Sequence, residues 1–197
     1  MTRDEIISLV QIKIDEISPF DSGEIINNSL VDSLLNESAN RLLEVLPPYL
    51  APITKYTGTA TSYDDYTGYI TLPSDFLKMT SFKMIEWSRP VTTFISDLHP
   101  VYRLQYNKYT RGGTEKPVCA LIGDSTGTIL EYFSVKDSHA IEKANYIAET
   151  LPENLNDLLV EPLTWMCASI IFQIMEMPKQ SELALGRVQE FINNYGR

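Results

Sequence analysis

Few side chains in this chain have the types and spacing that chemistry needs. His99 and His139, the two histidines, are its natural proton-transfer groups near neutrality. His99 precedes a proline and His139 lies in a turn between two strand-like runs, so each reads as a surface or turn residue and not as a ligand. Gly112-Gly113 in TRGGTEKP resembles a phosphate loop only superficially, because it lacks the GxxxxGK[ST] order and the strand-to-helix setting such loops require. Asp64 and Asp65 are adjacent. On a strand they would point to opposite faces and could not share a metal or a proton without a turn. Cys119 and Cys167 each sit inside an apolar run without CxxC or Cys/His spacing, and both are expected to be reduced and buried. The spacing G-x-S-x-G occurs at Gly123-Asp-Ser-Thr-Gly127, but between two strand-like runs and not at the strand-to-helix turn that makes a nucleophile elbow, and H-E-x-x-H is absent from the sequence. A hydrolase or lyase would have to assemble its site from Asp64, Asp65, Asp75, Tyr69 and His99. The expectation is a chain that is not an enzyme, with no catalytic residue, no cofactor and no metal.

The charge pattern points instead toward contact surfaces. The formal net charge is −10, which argues against broad affinity for a nucleic-acid backbone, since that affinity comes from Lys and Arg displacing counterions. The balance is uneven. Residues 1–50 hold nine acids against three bases, whereas Lys78, Lys83, Arg89, Arg103, Lys108, Arg111 and Lys116 outnumber Glu86, Asp97 and Glu115 in the middle. Such an island is either a solvated surface or a contact surface for an acidic neighbour, a second copy of the chain included. Tyr56, Tyr63, Tyr66 and Tyr69 form a tyrosine-rich excursion that reads as an interface or as an aromatic-rimmed loop.

The elements that must position these groups follow from periodicity. Thr2 and Glu5 have capping-box spacing, and Ile6, Ile7, Leu9, Val10, Ile14 and Ile17 recur near helical spacing up to a break at Pro19 and Gly23. A second helix is predicted from Asn28 or Ser29 to the stop at Pro47-Pro48, with Leu30, Leu34, Leu42 and Leu46 on its apolar stripe. From Ile53 to about Ile147 the period becomes two and Thr, Tyr, Val and Ile dominate. Strands are expected near 52–62, 68–72, 77–87, 117–123, 128–135 and 140–148, with a short helix around 96–105 and a hairpin turn at Asp124-Ser-Thr-Gly127. After Pro152 the pattern is helical again. The run TWMCASIIFQIM is apolar nearly all round, but it falls short of the ~20 residues a bilayer requires and is bounded by Glu161 and Glu176, so it is expected to be a buried central helix and not a membrane span. A last amphipathic helix runs over 179–194 through Leu183, Leu185, Val188, Phe191 and Ile192. The fold class predicted is α+β: N-terminal helices (1–50), a mainly antiparallel central sheet (51–150) and a C-terminal helix pair (151–197), taken together as one domain. The first residues, MTRDEIISLV, resemble neither a signal nor a transit peptide.

The order LPSDFLKMTSF, a basic-aromatic strand ending EWSRPV, then SDLHPVYRLQYN and GGTEKPVCALIGDSTGTILEYFSV, resembles the head-tail connector proteins of tailed bacteriophages. This family includes tail adaptors, tail tubular proteins and the ring proteins of crAss-like phages. There an LP.DF turn introduces a strand, a short helix follows, and a G...P... loop leads into a hairpin like 117–135, with a closing helix pair like 152–194. The resemblance is one of segment order over roughly 30–194. It implies a virion protein of the tail or neck, assembled in the host cytoplasm as a homo-oligomeric, dodecameric ring. The ring would bind the portal protein and other tail or ring proteins, seal the head-tail junction, and continue the channel through which DNA leaves without specific binding. Tyr63, Tyr66, Tyr69, Arg89, Arg103, Lys108 and Arg111 are the expected oligomer or portal contacts. The alternative is a monomeric peptide-binding adaptor or chaperone-like module using the tyrosine-rich loop.

Overall fold

The computed structural model describes residues 1–17, 26–124 and 127–195. Helices at both ends of the chain and two antiparallel sheets in its middle make it an α+β protein. It divides into two compact units, Met1–Pro52 with Glu149–Arg197, and Ile53–Ala148.

The first unit holds α1 (Arg3–Ile17), α2 (Asn28–Val45), α3 (Val160–Ile174) and α4 (Pro178–Tyr195). Helix α1 starts where the capping box places it. The Thr2 amide donates to Glu5 Oε2 at 2.8 Å and the Glu5 amide to Thr2 Oγ1 at 3.4 Å, and the bonds from Thr2 hold the Glu5 carboxyl below its usual range. The break foreseen at Pro19 and Gly23 lies outside the described residues. Asn27 caps α2 by accepting from the Ser29 amide at 3.0 Å. Helix α3 is apolar nearly all round because α1, α2 and α4 all pack on it, and only Glu161 is exposed between Val160 and Phe172. The window Asp157–Ile174 is long and apolar enough to cross a membrane, yet 72% of it is buried, as a core helix requires. The turn after α3 puts Glu176 in the left-handed region at φ 57, with the Met177 amide returning to Phe172 O at 2.8 Å. Pro178 then opens α4, a position that needs no amide. Helix α4 buries Ser181, Ala184, Val188 and Phe191. Leu183 and Leu185, expected on that stripe, are exposed instead, because the buried spacing is set by the small Ser181 and Ala184, which let α4 approach α3 closely; the Ser181 and Ser169 hydroxyls meet at 2.9 Å.

The second unit holds β1 (Thr54–Lys55), β2 (Thr61–Ser62), β3 (Gly68–Thr71), β4 (Phe76–Met84), β5 (Cys119–Asp124), β6 (Gly127–Tyr132) and β7 (Ile141–Ala148). One sheet has the order β1-β7-β4 and the other β2-β3-β6-β5. Both contribute to one core, in which Phe82, Met84, Ala144 and Tyr146 of the first sheet meet Ile70, Cys119, Leu130 and Tyr132 of the second. The strand expected over 52–62 is two exposed two-residue pieces, one on each sheet. Thr57-Gly58-Thr59 lies in the gap between them, so the chain passes from the β1-β7 edge to the β2-β3 edge. Gly68 is required where β2 meets β3, since a Cβ there would stand 2.4 Å from Thr61 O. The strand expected to reach Trp87 stops at Met84. Beyond it the Glu86 carboxylate accepts from the amides of Lys136, Asp137 and Ser138 at 2.6 to 2.8 Å, and Trp87 turns into the core, edge-on to Phe82 at 5.7 Å. The chain next covers two sheet edges, with Val91 bridging to Phe82 and Ile95 to Ala120. Strands β5 and β6 pair from Cys119↔Tyr132 to Asp124↔Gly127, with Gly127 at φ 136. The residues joining them, 125–126, are outside the described set.

Candidate interaction site

The pairing of β3 with β6 sets Tyr69 opposite Glu131. Because side chains alternate along a strand, Leu130 and Tyr132 enter the core while Glu131 and Phe133 share the other face of β6. That face is covered by residues 98–111, an arm of turns around one 3-10 segment, Arg103–Tyr106. Glu131 is only 6% exposed.

Three tyrosine hydroxyls reach this carboxylate. Tyr63 donates to Glu131 Oε1 at 3.1 Å, and Tyr102 and Tyr106 both lie 2.8 Å from Oε2. The last two hydroxyls are also 2.9 Å from each other. Each phenol carries one hydrogen, so this triangle holds two hydrogens for three short contacts and the bonds share them. Beneath the hydroxyls, Tyr102 and Tyr106 meet Phe133 edge-on at 6.2 and 5.3 Å, a favoured aromatic geometry. On the far side Tyr63 stacks on Tyr69 at 4.9 Å. Burial and the nearby Glu131 charge push the Tyr63 hydroxyl up to about 12, and burial raises Tyr102 and Tyr106 as well.

The turn carrying Tyr63 is built by Asp64. Its carboxylate accepts from the amides of Tyr66 and Thr67 at 2.8 and 2.6 Å and from Thr67 Oγ1 at 2.9 Å. Burial opposes ionisation of Asp64, but these bonds and the Arg111 charge together hold its carboxyl below the usual range. Arg111 lies over the Tyr66 ring at 5.0 Å. Buried Gln105 pins the arm's end, accepting from the Gly112 amide at 3.0 Å and donating to Val101 O at 3.2 Å.

No family model and no curated protein matches this chain. The site is therefore read from its own geometry. Of the residues expected at an interface, Tyr63, Tyr66, Tyr69 and Arg111 come together in one cluster, and Arg103 and Lys108 are exposed on the arm beside it. Arg89 is exposed on the turn whose Ser88 amide donates to Thr114 O at 3.1 Å, outside the tyrosine cluster. The short helix expected over 96–105 is reduced to the 3-10 segment. Its preceding turn is held by local bonds, among them Val101 N to His99 Nδ1 at 3.2 Å. His139 is part-buried, its Nδ1 2.7 Å from the Tyr132 hydroxyl. Asp75 faces Tyr146 on the other sheet at 3.3 Å, so Asp64, Asp65, Asp75, Tyr69 and His99 do not form one constellation. Among the described residues no three His, Cys, Asp or Glu side chains are grouped to hold a metal ion. Sequence reasoning missed Glu131, Tyr102 and Tyr106. Two signals were present: a single acid inside the apolar run ILEYF, and two tyrosines spaced i,i+4.

What the arm presents outward is unusual for a loop. Leu98 is 88% exposed and Tyr109 83%, and Leu104 is half-exposed. Lys108 Nζ sits 4.9 Å over the Tyr109 ring. From 98 to 113 there are three cations and no anion. An anchored segment displaying large apolar groups among cations is suited to meeting another protein surface, because leaving those groups in water costs about 25 cal/mol per Å².

Proposed function

We propose that this chain is a structural ring-forming protein of a tailed-phage head-tail junction, seated on the portal and lining the route by which DNA leaves the capsid. The observation that carries this reading is the anchored, cationic, apolar arm at 98–109, together with the segment order described above. A ring of identical subunits needs two different patches per subunit that match around a closed circle, and the two units of the chain differ in charge. Unit Met1–Pro52 with Glu149–Arg197 has sixteen Asp and Glu against six Lys and Arg, a net −10, whereas Ile53–Ala148 has ten of each. An acidic subunit also suits a channel through which DNA must slide, since a basic wall would hold phosphate. The chain is proposed to be monomeric or weakly associated alone and to close into rings on the portal, because a free ring formed early would trap assembly. Light scattering of the purified protein with and without the portal of the same phage tests this. The expected result is a portal-dependent jump to a ring mass. A chain that stays monomeric in both mixtures removes the connector reading and leaves the peptide-binding adaptor.

A further inference from the structure

The connector reading, on which this inference rests, leaves open which surface receives the arm. On the helical unit, α1 and α4 leave a groove of about 750 Å³ lined by Glu16, Ile17, Lys179, Glu182, Leu183, Gly186, Arg187 and Glu190. Its floor is apolar at Ile17 and Leu183, and Gly186 contributes no side chain. Leu183 is 62% exposed, so the groove carries uncovered apolar surface. Its charge is mixed at the rim, where Arg187 pairs with Glu190 at 3.1 Å and Lys13 with Glu16 at 3.1 Å. Glu182 makes no ion pair among the described residues, and the unit around the groove holds the whole net −10 of the chain.

We infer that the 98–109 arm of one copy docks in the α1–α4 groove of the next copy. Three features match. Leu104 and Tyr109 stand exposed on the arm, and the α1–α4 surface offers a groove to receive side chains. The arm exposes apolar side chains and the groove offers Ile17 and Leu183. The arm carries Arg103 and Lys108 without an anion, and the receiving unit is the acidic one. A contact between two different patches is head-to-tail, so it propagates from subunit to subunit and closes as a ring when the rotation allows. Complementary charge would steer the encounter and set its polarity, while the leucines and Tyr109 would supply the buried apolar area. The Glu131 cluster then acts as the anchor that holds the arm in its docking conformation, so its ordering cost is met before binding.

Cysteine trapping tests the pairing on the intact chain. Leu104→Cys and Leu183→Cys replace exposed residues, while the native Cys119 and Cys167 are buried. The two variants are mixed in equal amounts with the portal and oxidised. The arm–groove contact is expected to give the mixed dimer in roughly tenfold excess over either homodimer, the ratio that a preference of about 1.4 kcal/mol produces. A chain carrying both substitutions is expected to give a ladder of covalent oligomers. Adding Lys108→Glu to the Leu104→Cys chain is expected to reduce the mixed dimer several-fold. Homodimers at or above the level of the mixed dimer would overturn the inference, as would a yield indifferent to Lys108→Glu. If light scattering shows portal-dependent rings but the cysteines do not couple, the arm docks elsewhere and the connector reading stands. If neither rings nor coupling appear, both fall.

Discussion

Removing the carboxylate at Glu131 should release the arm without unfolding the sheets. Glu131→Ala deletes the acceptor of three tyrosine hydroxyls, and a hydrogen bond to a charged group contributes ~1.5–3 kcal/mol. That sum is an overestimate here. Tyr63 and Tyr106 are 53% and 49% exposed and can rehydrate, and the substitution also removes the cost of keeping a carboxylate out of water. The net loss should be about 2–4 kcal/mol, with most of it at Tyr102. Glu131→Gln keeps one carbonyl oxygen toward Tyr102 and Tyr106, and its amide can donate to a Tyr63 hydroxyl that turns to accept, so the expected cost is ~1 kcal/mol. Urea unfolding gives these values. Tryptic cleavage after Arg103 and Lys108, which flank Tyr106, reports arm release and should accelerate in the Ala variant far more than its global stability falls. The pH dependence has a definite sign. An unfolded tyrosine ionises near ~10, and Tyr63 in the fold is held at about 12. The raised value means that the fold favours the protonated hydroxyl, so this contribution is complete below pH ~10 and is lost as pH rises toward about 12. The gap between wild type and Glu131→Ala should narrow over that window. An Ala variant with the wild-type urea midpoint and the wild-type cleavage rate would refute the anchoring argument.

Trp165→Ala should be structural in effect, because the side chain is 4% exposed with Lys13 Nζ 4.7 Å over its ring; the expected loss is ~3–5 kcal/mol by thermal or urea melting, and normal stability would place Trp165 at an interface. Cys119 and Cys167 should resist a thiol reagent at mildly alkaline pH until the protein is unfolded, since burial pushes Cys119 well up and Cys167 to about 11; fast labelling of the native protein would contradict their burial. Charge reversal at Arg89 or Arg103 should leave the fold within ~0.5 kcal/mol of wild type, as substitutions at exposed sites do, while disrupting ring formation on the portal. The isolated chain should show no salt-dependent binding to duplex DNA in a filter or anisotropy assay. Micromolar affinity at physiological salt, abolished by the same reversals, would put the cations in the channel.

Where physics is local, the linear chain was enough. The Thr2/Glu5 capping box, the Pro47-Pro48 stop and Pro178 set helix ends, because each acts on amides or carbonyls within a turn of itself. The period-two run located β3, β4, β5, β6 and β7 for the same reason, and the separation of acids from bases is a property of sequence alone. The sheet edges were less legible. Residues 54–55 and 61–62 look like one strand because Thr and Tyr suit strands, and only the competition between two sheets for the same segment divides it. Leu183 and Leu185 read as core because they are apolar, but the close approach of α4 to α3 selected the smaller Ser181 and Ala184. The Glu131 cluster was decided entirely by tertiary structure. It requires the β3-β6 register that sets Tyr69 opposite Glu131, a turn held by Asp64 that brings Tyr63 over, and an arm that carries Tyr102 and Tyr106 from 29 and 25 positions away in sequence. The acid inside ILEYF and the two tyrosines spaced i,i+4 mark the partners but not their pairing, because a hydrogen bond between distant residues constrains their positions in space and leaves the sequence between them free.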